Sequence, residues 1–362
     1  MTVLDRGNGV SALVRLLSSE PDRSSLSDPG RWELLTQHSA SYGVSTLVAF
    51  TGRPHTSAEQ RAWCDNVLTR NWRRYAQGIH HLQTILTILD QAEIRALVLK
   101  GPLLAQRHYQ PPFLRKSSVD IDLAVKEEDI ERACQALAEV GYIRTRSLLQ
   151  SISQGYDVAL LHETLPRVEL HFRLTHGPLG IPVDEFFERS VATTLPNGRT
   201  AYVLSATDEI LHLVLHYAHH RFPLLFNLYE IRRIWSAAPL EVRSEVCRKA
   251  IQHHFWGAFI MTDIAFRSVW GEPFLPANES SPKTWLHWRL NEKLYRQCAA
   301  WSAPGFKLSL TNRLRGRWLD FQITDRPSDA LRFFSMFGSV AWYRLRNGGW
   351  RTLKYRHFAG ER

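Results

Sequence analysis

Asp120 and Asp122 stand two residues apart in Ser117-Ser118-Val119-Asp120-Ile121-Asp122-Leu123-Ala124-Val125. The segment alternates apolar and polar residues with the period of a β-strand. Side chains two apart on a strand share a face, so both carboxylates point the same way. Like charges placed together repel, and stability alone does not favour the arrangement. A divalent cation resolves the conflict, because magnesium takes hard oxygen ligands and is held by a few carboxylates together with substrate phosphates. The spacing points to metal-dependent phosphoryl or nucleotidyl transfer.

The elements that must position this pair can be read on either side of it. Ala96-Leu97-Val98-Leu99 is a short apolar run, expected to be a buried strand, and it ends at Lys100-Gly101-Pro102. Pro102 suits the first position of a helix, which runs through Leu103, Leu104 and Tyr109 and stops at Pro111-Pro112. After the aspartate strand, residues 127–140 form a helix with Ile130, Ala133, Leu137 and Val140 inward and Gly141 just past its end. Two alternating stretches, 156–162 and 167–174, separated by Glu163-Thr164-Leu165-Pro166, read as a β-hairpin. Val168, Leu170 and Phe172 share one face of its second strand; Glu169, His171 and Arg173 share the other. Glu169 is thus either a third site carboxylate or a surface partner of Arg173. His171 either binds substrate or hydrogen-bonds near the site.

Helices dominate elsewhere. The first 50 residues read as a helical lead-in, and 56–95 as one or two long helices with Leu82, Ile85, Leu86 and Leu89 on a buried stripe. From about Ser205 the chain reads as helical, with stretches starting at Asp208 and near 223–238, 240–270, 284–301 and 327–346. His212 and His216 lie one turn apart, a zinc-ligand spacing, but the glutamate of an HExxH motif is missing and no cysteine is near. Satisfied core histidines, or residues lining a substrate cleft, are the better readings.

The order Leu97-Val98-Leu99-Lys100-Gly101, Tyr109, Arg115, Asp120-Ile121-Asp122-Leu123, Val168-Glu169-Leu170-His171-Phe172 and His212-x-x-x-His216 resembles a bacterial family of uncharacterised nucleotidyltransferases within the DNA polymerase β-like superfamily. The resemblance covers roughly residues 80–240. It implies an α+β fold: a small mixed β-sheet of nucleotidyltransferase type flanked by helices, with a largely helical C-terminal region. It implies Asp120, Asp122 and Glu169 as catalytic, metal-holding carboxylates, Mg²⁺ or Mn²⁺ as the metal and an NTP as co-substrate. Lys100, Gly101, Arg115 and His171 would serve nucleotide binding, with Lys100 and Arg115 offsetting phosphate charge. Lys100-Gly101 stands where the superfamily carries Gly-Ser or Gly-Gly, and the gap from Gly101 to Asp120 is longer than usual. Relatives of the family occur beside peptide-tailoring genes, which implies a small-molecule, peptide or protein acceptor. A non-catalytic nucleotide-binding protein on the same scaffold is the alternative, as is an enzyme modifying RNA or tRNA.

Composition sets the outer bounds. The 362 residues are 44% hydrophobic, with twelve Trp and seventeen Phe, enough for sizeable cores and against disorder. The expected division is an N-terminal helical region, 1–79, a catalytic core, 80–204, and a C-terminal helical domain with a basic tail, 205–362. Four scattered cysteines without a CxxC pair read as reduced thiols of a cytoplasmic protein. No signal peptide and no transmembrane segment is expected, since no apolar run approaches the roughly 20 residues that cross a bilayer. Net charge is +10, and from Phe306 onward twelve Lys/Arg face four Asp/Glu. That tail suits an anionic partner, nucleic acid or a membrane surface, or is simply a solvated basic face.

Overall fold

The aspartate segment forms the middle strand of a seven-stranded mixed sheet. In the computed structural model, which describes residues 8–18, 26, 28–145, 156–174, 181–219 and 225–275, the strands are β1 (Leu97–Val98), β2 (Asp120–Ala124), β3 (Ile143–Arg144), β4 (Asp157–Leu161), β5 (Arg167–His171), β6 (Val191–Thr194) and β7 (Thr200–Val203). Their order is β3-β4-β5-β2-β1-β7-β6. β2 runs antiparallel to β1 and parallel to β5, and β4 and β5 form the expected hairpin. The basic tail and the stretches 284–301 and 327–346 lie outside the described residues.

Each face of β2 has its own surroundings because its side chains alternate. Ile121 and Leu123 join Val98, Val168 and Leu170 in a core closed by Ile79, Leu82, Ile85, Leu86 and Leu89 of one long helix and by Ile130, Ala133 and Leu137 of the helix Ile130–Ala138. Each fully buried Leu or Ile there contributes about 1.5–3 kcal/mol. The long helix, Ala58–Gln91, is single and unbroken, and residue 79 lies within it. Its start is fixed by a capping box in which Ser57 and Gln60 satisfy each other's backbone amides.

The opposite face of the sheet, with Ala124, Leu97 and Leu99, belongs to a second core. That core merges the N-terminal helices Asn8–Leu16, Pro29–Ser41 and Ser45–Gly52 with the later helices Ala206–His219, Leu225–Ala237, Leu240–Gln252 and Trp256–Trp270. The segments before and after the sheet are joined by named bonds: Phe226 N donates to Tyr42 O at 3.2 Å, and Arg232 Nη1 to Leu17 O at 3.0 Å. The N-terminal helices therefore share a core with the helices that follow the sheet.

Three details depart from the sequence reading. Val140, expected inward on a helix over 127–140, is exposed beyond the helix Ile130–Ala138. The 240–270 stretch is two helices, parted at His253–Phe255 where His254 takes a left-handed φ of 61°. The hairpin β6–β7 was not foreseen, although Asn197-Gly198 between two threonine-rich stretches is a turn signal. Its Arg199 donates to Leu86 O at 2.9 Å and pairs with Asp90, tying the hairpin to the long helix.

Candidate active site

Register places the carboxylates. β2 and β5 pair Asp120 with Arg167, Asp122 with Glu169 and Ala124 with His171. Partners across a parallel pair point to one side, so Asp120, Asp122, Glu169 and His171 share the face turned away from the long helix. Asp122, Glu169 and His171 offer ligand atoms all within 4.8 Å of one another, the one such group of three among the described residues. Asp120 lies on the same face but outside this tight trio, which includes His171. Among the described residues, His212 and His216 belong to no metal-ligand group of that kind.

Lys100 enters from β1. Leu99 N donates to Asp122 O at 3.1 Å; β1 ends at Val98 and the chain bends at Lys100, which releases the lysine from strand alternation. Lys100 Nζ sits 3.2 Å from Asp122 Oδ1, and His171 Nε2 lies 3.2 Å from the same oxygen. Glu169 is held from the other side, with Arg167 Nη2 at 2.5 Å from Oε1 and His171 Nε2 at 3.8 Å from Oε2.

These contacts sort the three carboxyls. Burial raises Asp122, but Lys100 and then His171 outweigh it and hold that carboxyl well below its usual range. Asp120 is pushed up by burial and by the Asp122 charge, with Lys100 offsetting part. Glu169 is pushed up by burial and again by Asp122, with Arg167 opposing. The fold thus stabilises one negative charge and leaves two carboxyls strained toward protonation. Hard oxygen donors crowded in this way fit a divalent cation, whose charge would relieve both. The Tyr156 ring centroid lies 5.3 Å from that of His171, tilted, and 5.3 Å from that of His219, edge-on; burial and then Asp157 and Glu169 raise its hydroxyl. His212 is fully buried with neither ring nitrogen partnered among the described residues. Burial, then Lys100 and His171, hold it neutral.

The Lys100-Gly101 turn is built as the sequence suggests. Gly101 has φ 79° and ψ −141°, and a Cβ there would meet nothing within 4 Å. Gly101→Ala is expected to cost about 1–3 kcal/mol through backbone strain alone; an unchanged melting temperature would contradict that backbone. A cavity of about 300 Å³ opens beside the carboxylates, lined among others by Lys100, Arg115, Lys116, Ser118, Asp120, Asp122 and His216.

Arg115 is committed elsewhere. It reaches Glu230 through Nε to Oε1 at 2.6 Å and Nη2 to Oε2 at 3.0 Å, and Tyr109 Oη donates to the same carboxylate at 3.3 Å. The arginine expected to offset phosphate charge is buried in an ion pair between the sheet's approach loop and the helix Leu225–Ala237. Lys116 and Glu230, both in the cavity wall, were not singled out from sequence; Lys116 was read only as a neighbour of Arg115.

A family model described as uncharacterised nucleotidyltransferase matches residues 28–261, a span that includes every residue named above as lining the site. A stretch of 88 residues is 32% identical to N-acetyl-gamma-glutamyl-phosphate reductase of Burkholderia ambifaria, covering 24% of this chain and 28% of that protein. The chain therefore spans under a third of that relative's length. Among solved structures, the antibiotic-resistance factor ANT(2″)-Ia overlays with a TM-score of 0.36 at 13% identity, over 49% of this chain and 95% of the other. A lincomycin-bound lincosamide antibiotic adenylyltransferase, LnuA, overlays with a TM-score of 0.32 at 14% identity, over 44% and 97%.

Proposed function

We propose, since this chain belongs to the family of uncharacterised nucleotidyltransferases, that it moves a nucleotidyl group from an NTP to a small-molecule, peptide or protein acceptor with Mg²⁺ or Mn²⁺. The observation that supports this most is the β2–β5 register, which sets Glu169 directly beside Asp122 on the face that carries Asp120. Asp120, Asp122 and Glu169, with His171 at hand, would hold the cation. When bound, such an ion supplies positive charge for the phosphates and acidifies an attacking hydroxyl.

The chain's own residues do the rest. In the transfer, an acceptor oxygen forms a bond to the α-phosphorus and the bond to the β-phosphate oxygen breaks, with pyrophosphate leaving with the electron pair. Glu169, whose carboxyl is raised toward protonation, accepts the acceptor's proton. Lys100 neutralises Asp122, and His171 fixes the orientation of its carboxylate. Leu213 and His216 of the helix Ala206–His219 form part of the cavity wall.

The test is incubation of the purified chain with each α-labelled NTP, Mg²⁺ or Mn²⁺ and host extract. Label carried into a non-nucleic-acid product, with pyrophosphate released, is the expected result. Transfer of γ-label instead would mean phosphoryl transfer, and a labelled RNA band would mean RNA modification. The Lys100–Asp122 ion pair favours a second reading, a nucleotide-binding scaffold without turnover. Nucleotide binding with no label transfer from any NTP would select it.

A further inference from the structure

We propose that Lys116 is the phosphate-binding residue of this site, gripping the triphosphate of the incoming nucleotide in the cavity beside Asp120. This rests on the nucleotidyl-transfer reading above and names a residue that reading does not use.

Of the three Lys and Arg side chains lining the cavity, two are already paired. Lys100 is bound to Asp122 and Arg115 to Glu230. Among the described residues no carboxylate comes within ion-pair distance of Lys116, although its side chain lines the same 300 Å³ space. Asp120 acts on it only at longer range, and burial followed by the Arg115 charge disfavours its ammonium. Lys116 is exposed and lines the cavity without a counter-ion among the described residues, so its ammonium is free to meet an anionic ligand. A triphosphate supplies several negative charges.

The backbone around Lys116 is held as a binding element would be. Buried Asn71 clasps both neighbours: its Nδ2 donates to Arg115 O at 2.8 Å, and its Oδ1 accepts from Ser117 N at 3.3 Å and Ser117 Oγ at 2.9 Å. The Lys116 stem crosses Gly43, where φ is 72°; a Cβ there would lie 3.1 Å from Lys116 Cδ and 3.4 Å from Nζ. Glycine leaves a slot that directs the stem into the cavity. Ser118, in the same wall, adds a hydroxyl.

Calorimetry on the full chain tests the assignment with three probes: inorganic tripolyphosphate, each of ATP, GTP, CTP and UTP with Mg²⁺, and adenosine. Lys116→Met is expected to weaken tripolyphosphate and nucleotide binding about 10- to 100-fold, the range of a charge-assisted contact. Adenosine binding and melting temperature should stay as in the wild type, and Lys116→Arg should recover most of the loss. Undiminished tripolyphosphate binding by Lys116→Met overturns the role of Lys116 and leaves nucleotidyl transfer standing. If the wild-type protein binds neither tripolyphosphate nor any NTP, the nucleotide reading falls as well.

Discussion

Asp120→Asn and Asp122→Asn are expected to abolish turnover alike while moving stability in opposite directions. Each removes an anionic oxygen from the face that fits a divalent cation, and a lost ligand worth several kcal/mol of charge stabilisation slows transfer ~10³-fold or more. Stability separates the two. Asp122 is the carboxylate that the fold favours, held by Lys100 and His171 at 3.2 Å each. Asparagine keeps an acceptor for both but loses the charge, so Asp122→Asn should cost about 1–3 kcal/mol. Asp120 is the carboxylate that the fold disfavours, through burial and the Asp122 charge. Neutralising it should raise the melting temperature in metal-free buffer.

The pH dependence follows from the same signs. Asp122 lies below its ordinary value near 3.8 when folded, so its contribution is complete above that value and is lost as pH falls through the folded pKa. The deficit of Asp122→Asn should be full at pH 7 and shrink below about pH 4. Asp120 lies above its ordinary value when folded, so the gain of Asp120→Asn should be full above the folded pKa and fade as pH falls toward the unfolded one. Thermal melts of both variants from pH 3 to 8 read this directly. Two variants equally stable across the range would contradict the asymmetry, and wild-type turnover in either would remove that residue from the mechanism.

The same asymmetry shows what was legible in the sequence. A period of two on each of two strands sufficed to put Asp120, Asp122, Glu169 and His171 on defined faces, and the apolar partners Ile121, Leu123, Val168 and Leu170 indicated which face was buried. The register between β2 and β5 was not legible, because it depends on how the intervening helix and hairpin pack, and register decides that His171 rather than Asp120 joins the tight trio. β3 has only two residues, too short for a period to show, whereas β1, equally short, was legible from its apolar run Ala96-Leu97-Val98-Leu99. The shared core of the segments before and after the sheet is a long-range contact without a local signal. Arg115 looked available because its partner, Glu230, lies on a helix more than a hundred residues away.

That partner makes Arg115→Met the second large effect, expected in folding rather than nucleotide binding. Removing the guanidinium leaves Glu230 buried without its counter-ion, with Tyr109 Oη as its remaining donor. Breaking a buried pair from one side typically costs about 3–5 kcal/mol, because the orphaned charge has lost its water as well as its partner. Glu230→Gln should be similarly costly, as it strands a fully buried guanidinium. The double variant Arg115→Met/Glu230→Met removes both charges and should recover much of the loss, since apolar side chains of similar volume can replace a buried pair with little net penalty. Urea titrations of the three variants measure the cycle. Single variants as stable as the wild type would show that the pair contributes nothing to the fold. Were Arg115→Met instead to leave stability intact and weaken nucleotide binding, the arginine would belong to the phosphates after all, and the ion pair would have to open when nucleotide arrives.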